Sequence, residues 1–186
     1  MNEMLKQKRM TVDEFIPWAM AQPRGRYELV NGEVMMMGPE RAAHLRGEAA
    51  AHMALAAALK RAGRDCEALP DGGTVRVNER TAYEPDAMVY CGPRLTDDDI
   101  EVPNPVIVVE VGSTSTSSTD TGVKFRGYFS PPSVRHYLII DLEARAITHH
   151  ERGADGQIVS TSRTEGTLVL DPPGIEVSIA DMLPAE

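Results

Sequence analysis

Pro105-Val106-Ile107-Val108-Val109-Glu110-Val111 is the stretch on which the fold turns. Its apolar run is continuous rather than alternating, the pattern of a strand buried on both faces at the centre of a sheet. Glu110 breaks that run, and an unpaired carboxylate in such a place is costly, so a basic partner, a raised pKa or a metal ion must compensate it. Downstream, Ser113 to Asp120 is a Ser/Thr-rich connection, residues Thr121 to Phe129 can form a helix that Pro131-Pro132 must end, and Val134-Arg-His-Tyr-Leu-Ile-Ile-Asp141 supplies another strong strand.

Upstream, Cys66 to Val77, with a break at Gly72-Gly73, and Tyr83 to Tyr90 are β-like. Before them Pro39 to Arg61 is rich in good helix formers, has Gly63 just past its end, and draws an apolar side from Leu45, Met53, Leu55 and Leu59. Tyr27 to Met35 places Asn31-Gly32 between two apolar runs, which predicts a type I′ hairpin. Thr11-Val-Asp-Glu14 has the form of a capping box, opening a short helix limited by Pro17 and Pro23. Short strands alternate with turns around Ala146 to Glu151, Gln157 to Ser162, Thr167 to Leu170 and Ile175 to Ile179. The order predicts an α/β fold (mixed α+β): a central mixed sheet flanked by helices, with a β-rich C-terminal extension.

The chain has 186 residues, 42% apolar and 25% charged, which fits one soluble domain spanning 1–186. Its net charge of -9 argues against indiscriminate nucleic-acid binding, although bound divalent metal would neutralise an acidic cleft. Arg41, Arg46, Lys60, Arg61 and Arg64 cluster in one short stretch that could touch phosphates, but a solvated basic face is the plainer reading. Cys66 and Cys91 lack CxxC spacing and no secretory leader precedes them, so buried thiols in a reducing cytoplasm are expected. No stretch approaches the roughly 20 apolar residues that span a bilayer.

Asp86 follows Pro85 at the start of the strand preceding Glu110, and the polar loop Thr96 to Asn104 joins the two strands. Neighbouring strands lie about 4.8 Å apart, so the two carboxylates could converge on one hard cation. Oxygen ligands without Cys or His favour Mg²⁺ or Mn²⁺ over Zn²⁺. Asp120, Lys124 and Tyr128 fall four apart and so share one face of the next helix, either as an ion pair beside a packed aromatic or with Lys124 reaching the metal site to stabilise a pentacovalent phosphate. A competing set, His44-x3-Glu48-x3-His52, shares a helix face and could bind Zn²⁺, but it lacks the HExxH form and a fourth ligand. His149-His150 reads as a strand-end pair.

Glu28 within Tyr27-Glu-Leu-Val-Asn-Gly-Glu33, His44, Pro85-Asp86, Val108-Val-Glu110-Val-Gly-Ser-Thr-Ser-Thr116, Asp120-x3-Lys124-x3-Tyr128 and Tyr137-Leu-Ile-Ile-Asp141 form an ordered set. It resembles the bacterial "putative restriction endonuclease" family, the Uma-type endonucleases of the PD-(D/E)XK nuclease superfamily, over roughly residues 10 to 180. The resemblance implies a restriction-endonuclease-like core of helix, three antiparallel strands, helix and parallel strand. It implies metal ligation by Asp86 and Glu110 with the Val111 carbonyl, and auxiliary roles for Glu28 and His44 at a second metal or at the substrate, beside their plain readings as a hairpin salt bridge and a helix N-terminal hydrogen bond. The superfamily's usual Lys lies two residues after the Glu, where this chain has Gly112; Lys124 matches the relocated Lys of this family. Phe129-Ser-Pro-Pro-Ser133 replaces the family's Gly after the helical Tyr, so a different helix end is expected. The implied activity is Mg²⁺- or Mn²⁺-dependent phosphodiester hydrolysis in DNA, by a protein whose superfamily often forms homodimers. The alternative is a catalytically lapsed binding module.

Overall fold

Thr11 opens the first helix as its capping box predicts: its hydroxyl accepts from the Glu14 amide at 3.3 Å, and the Glu14 carboxylate accepts from the Thr11 amide at 3.0 Å. In the computed structural model, which describes residues 9–112 and 118–185 and the side chains of these except 118–121, helix α1 covers Val12–Met20. It runs through Pro17 instead of stopping there. The reason is burial: Val12 and Phe15 pack on Leu29 and Ala82, and that contact outweighs the loss of one helical amide.

The hairpin forms as expected, with β1 (Tyr27–Val30) and β2 (Glu33–Met36) joined by Asn31 at φ 51° and Gly32 at φ 83°, both in the left-handed region a type I′ turn requires. Helix α2 (Ala42–Ala62) ends on Gly63 at φ 60°. Its buried side differs from the expected one. Leu55 and Leu59 face inward, whereas Leu45 and Met53 are 51% and 62% exposed, and the remaining contact is made by Gly47, Ala50, Ala51, Ala54 and Ala58. Small residues let this helix lie close to the sheet: a Cβ on Gly47 would stand 2.8 Å from Val111 Cγ1.

The two β-like segments before the central strand divide between sheets. Strands β3 (Glu67–Pro70) and β6 (Ala87–Tyr90) join the main sheet, while β4 (Val75–Asn78) and β5 (Thr81–Tyr83) complete a four-stranded antiparallel sheet of order β2-β1-β5-β4. Pro85, lacking an amide hydrogen, stands at the division between β5 and β6. The central strand is β7 (Ile107–Gly112); helix α3 (Ser118–Tyr128) leads from it to β8 (His136–Asp141), which lies parallel beside it. Strands β9 (Ala146–Arg152) and β10 (Ile158–Arg163) follow, giving a six-stranded sheet of order β10-β9-β8-β7-β6-β3 in which every other pairing is antiparallel. The chain closes with the hairpin β11 (Thr167–Leu170) and β12 (Ile175–Ser178) and the turn of helix α4 (Ile179–Met182).

Strand β7 is buried on both faces. Ile107, Val109 and Val111 join the core under α2 and the C-terminal hairpin, and Val108 joins an aromatic core of Tyr83, Tyr128 and Tyr137 on the opposite side. Helix α3 ends at Tyr128, ahead of Pro131-Pro132, and Arg152 donates to the carbonyls of Phe129 and Pro131 beyond it.

The expectation of two buried thiols is overturned. Cys66 and Cys91 form a disulfide, the former half-buried and the latter exposed. The antiparallel register of β3 and β6 pairs Glu67 with Tyr90 and so sets the two cysteines opposite one another, a relation that sequence spacing does not reveal. The thiol argument for a reducing compartment thereby loses its premise. Among the described residues, no helix is long and apolar enough to cross a membrane.

Candidate metal centre and charged cleft

Glu110 meets its compensation on the α3 side of the sheet. Lys124 Nζ lies 3.0 Å from both carboxylate oxygens, and the Tyr128 hydroxyl donates to Oε1 at 2.5 Å. The four-residue spacing of Lys124 and Tyr128 puts both on the turn of α3 that faces β7. Lys124 also lies 3.0 Å from Glu28 Oε1 on β1, and that oxygen accepts from the Glu84 amide at 3.1 Å. Burial pushes the Glu110 carboxyl up to about 7, against the pull of Lys124, with Asp86 and Glu28 adding to the rise. Burial alone would lower the Lys124 ammonium, but Glu110 and Glu28 together raise it above its ordinary value. Lys124 is therefore a fixed cation and not a proton acceptor near neutral pH.

Asp86 sits across the ladder from Glu110. Because Ala87 pairs with Val109, the next position outward on each strand places the two acids opposite one another. Asp86 is buried, and its Oδ2 accepts from the Val111 amide, which ties it to the peptide following Glu110. Its other oxygen lies 3.5 Å from His44 Nε2 on α2.

Around that imidazole stand Glu48 at 3.2 Å and Glu40 at 3.9 Å, all three residues spaced by four, His44 and Glu48 on α2 and Glu40 just ahead of its start. Ligand atoms of Glu40, His44, Glu48 and Asp86 all lie within 4.8 Å of one another, a donor set suited to a cation. The hydrogen bond to Asp86 raises His44 to about 9 against its burial, and Glu48 and Glu40 add to the rise. Burial, followed by the charge of Asp86, raises Glu48 to about 7. Glu40 is shared with Arg26, which donates to it at 2.8 Å and also pairs with Asp71 and Glu84.

The structure thus places the expected site residues in two abutting groups. Glu28, Glu110, Lys124 and Tyr128 form one, and Asp86 with His44 belongs to the other. Asp120's side chain lies outside the described residues. Glu110, Val111 and Lys124 line a cleft of about 610 Å³ whose walls include Met35 and Ile139. Sequence reading singled out Glu48 but with the wrong companion: His52 Nε2 contacts the Ala68 carbonyl at 3.1 Å, and Glu40, one turn before His44, takes its place. The same four-residue spacing was the available signal. In the basic stretch, Arg61 and Arg64 donate to the carbonyls of Glu176 and Gly174 and so hold the C-terminal hairpin. His149 and His150 lie within β9 and on opposite faces; His149 bonds to the buried His136 at 2.9 Å and His150 to Ser160.

The family model described as "Uma2: Putative restriction endonuclease" matches residues 12–184. The chain belongs to the Uma2 family. Among curated proteins that are similar to it, "Uncharacterized protein slr1290" of Synechocystis sp. (strain ATCC 27184 / PCC 6803 / Kazusa) is 27% identical over 155 residues, 80% of this chain and 77% of that protein. "Uncharacterized protein sll1609" of the same organism is 35% identical over 81 residues, 42% of this chain and 46% of that protein. A crystal structure of a putative nuclease belonging to DUF820, from Anabaena variabilis ATCC 29413, superposes with a TM-score of 0.71 at 15% identity, covering 93% of this chain and 97% of that one. The Uma2 chain and that protein share a fold, including the mixed sheet and flanking helices expected from the sequence.

Proposed function

We propose that this protein is a divalent-metal-dependent endonuclease that hydrolyses phosphodiester bonds in DNA. Asp86, Glu110 and the Val111 carbonyl would hold Mg²⁺ (or Mn²⁺), and Lys124 would stabilise the charge that develops on the phosphate. The observation that carries this reading is an acid pair at facing positions of adjacent strands, Asp86 buried and Glu110 half-buried, with an ammonium 3.0 Å from Glu110. The donors fit a hard cation: both are carboxylates, and burial with the nearby charge of Asp86 disfavours ionisation of Glu110 unless positive charge compensates it. A cation there would neutralise the pair, polarise the phosphate and lower the pKa of water.

This chain's own residues supply the rest. Tyr128 fixes the orientation of Glu110 through its hydroxyl, and Glu28 gives Lys124 a second anchor, so the ammonium stays beside the cleft when Glu110 engages a cation. A positive charge kept at that place opposes the negative charge of the transition state without rearrangement. The printed description of the Uma2 family, "Putative restriction endonuclease", supports the same reading. Action on DNA, a cytoplasmic location and a homodimeric state form part of the proposal.

Replacing Asp86 by Ala is expected to abolish Mg²⁺-dependent cleavage of a DNA panel while leaving the circular dichroism spectrum intact; undiminished cleavage refutes the assignment. A second reading, a catalytically lapsed binding module, draws on the net charge of -9 and on the complete engagement of Glu110 by Lys124 and Tyr128. Calorimetric titration with Mn²⁺ separates the two, since absence of binding at millimolar metal favours the lapsed module.

A further inference from the structure

We propose that the cleft beside Glu110 holds an unpaired nucleotide, its base lying against the methionine face of the β1–β2 hairpin, so that the substrate is single-stranded rather than duplex DNA. The inference rests on the nuclease reading for the place of the phosphate and goes beyond it in naming what the cleft accepts next to that phosphate.

Hairpin register decides what the cleft wall is made of. Glu28 pairs with Met35 and Val30 with Glu33, and residues opposite one another on an antiparallel ladder share a face, as do alternate residues along each strand. Glu28 reaches Lys124 from that face, so Val30 and Met35 turn toward the same side, and Met37 follows two residues on. Across the cleft, β8 runs parallel to β7 with Ile139 in register with Glu110. Glu110 therefore has Asp86 about one strand spacing, roughly 4.8 Å, to one side and an isoleucine about as far to the other. The space next to the acid pair is thus walled by Ile139 and by Met35.

Three features favour an unpaired base over a duplex. The cleft, at about 610 Å³, falls in the range of roughly 300–1,000 Å³ that encloses a small molecule, whereas a duplex keeps its bases stacked inside and would leave the apolar wall unused. Met35 and Met36 are 53% and 71% exposed on the edge strand of their sheet, a costly display unless something covers them. A methionine thioether is flexible and polarizable and packs against any flat π face, which suits a base of unspecified identity. Charge points the same way: Arg9 and Lys124 are outnumbered by Glu28, Glu33 and Glu110 among the residues that line the cleft. A duplex brings one negative charge per roughly 1.7 Å of its axis and needs a basic surface that this cleft lacks, while a single strand brings fewer phosphates to it. Arg9 stands at the mouth in an exposed pair with Glu33 at 3.3 Å, a pair weak enough to exchange for the neighbouring phosphate.

Full-length protein is titrated against a labelled single-stranded oligonucleotide and against the duplex made from it, by fluorescence anisotropy with Ca²⁺ in place of Mg²⁺, the strands being checked for intactness on a denaturing gel. The single strand is expected to bind roughly tenfold or more tightly than the duplex, and a 2-aminopurine within it to brighten as it leaves its stacked neighbours. Met35→Ala, at an exposed position and checked for an unchanged thermal transition, should weaken single-strand binding about threefold or more and diminish the brightening. Val169→Ala, exposed to a similar degree on β11, should alter neither. Arg9→Gln should lower the salt dependence of single-strand affinity by about one phosphate contact. Duplex bound as tightly as single strand, or Met35→Ala without effect on single-strand affinity, overturns the inference; a changed sedimentation coefficient in that unaffected variant would assign the methionine face to a second copy of the chain. Cleavage with Mg²⁺ is scored separately. Duplex cut as fast as single strand refutes the strand preference alone, whereas no cleavage of either, with the binding preference and the Met35 effect intact, refutes the nuclease reading and leaves the nucleotide cleft standing.

Discussion

Tyr128 is where a single atom bears most directly on Glu110. Its hydroxyl donates to a carboxylate that burial already raises to about 7, so the bond favours the ionised form that a cation requires. Tyr128→Phe keeps the ring packed against Tyr83 and Tyr137 and removes only that donor. A hydrogen bond to a charged group contributes about 1.5–3 kcal/mol, so Mg²⁺ affinity at pH 7 is expected to fall roughly tenfold or more. The Glu110 carboxyl rises further in the variant, and the activity profile should therefore move to higher pH. A pH series of initial cleavage rates measures this, and an unmoved profile would show that the hydroxyl does not tune the acid.

At the scale of elements, the approach of α2 to β7 fixes where the helix's charged face stands. Gly47→Ala places a methyl 2.8 Å from Val111 Cγ1 and 3.1 Å from Leu142 Cδ2. Overpacking of this kind destabilises by about 1–3 kcal/mol, which exceeds the roughly 1 kcal/mol that alanine gains over glycine in a helix. Urea unfolding is expected to register a net loss of stability. The β3–β6 edge behaves independently. Its disulfide closes a separation of 25 residues, so the double variant Cys66→Ser/Cys91→Ser should lose about 3 kcal/mol in chemical unfolding yet retain its metal stoichiometry.

Over the whole molecule, the buried acids and histidines set a pH dependence with two limbs. Glu48 and Glu110 at about 7 and His44 at about 9 all lie above their ordinary values, so the folded chain holds extra protons, and the stability they contribute is lost as pH rises through those values. His136, lowered to about 4 chiefly by burial, acts in the opposite sense: its contribution is present above about 6.5 and is lost as pH falls toward 4. In chelator the melting temperature should decline from pH 6 to 9. Added Mn²⁺ should raise it more at pH 8.5 than at pH 6, because cation and protons compete for the same groups. Differential scanning fluorimetry over that range is the measurement, and a cation effect that is uniform in pH would contradict the coupling.

How much of this was legible differs from residue to residue. Glu110 announced itself as an acid inside an apolar strand, and Lys124 and Tyr128 followed from helical spacing; local pattern suffices when partners lie on consecutive elements. The capping box of α1 and the Asn31-Gly32 turn were equally plain, because short-range backbone chemistry specifies them. The course of α1 through Pro17 and the outward placement of Leu45 and Met53 were not, since tertiary burial overrode local propensity in one case and backbone proximity selected alanines over larger residues in the other.

By itself, then, the sequence determined the order of helices and strands, the central position of β7 and the acid, acid, amine series at Asp86, Glu110 and Lys124, since each follows from periodicity or from one residue out of keeping with its neighbours. Only the tertiary structure decided that Cys66 meets Cys91, that Glu40 rather than His52 stands with His44 and Glu48, and that Glu28 shares the ammonium of Lys124. Those relations depend on strand register and on the distance between a helix and a sheet. Side chains far apart in the chain meet through them, and no local pattern carries that information.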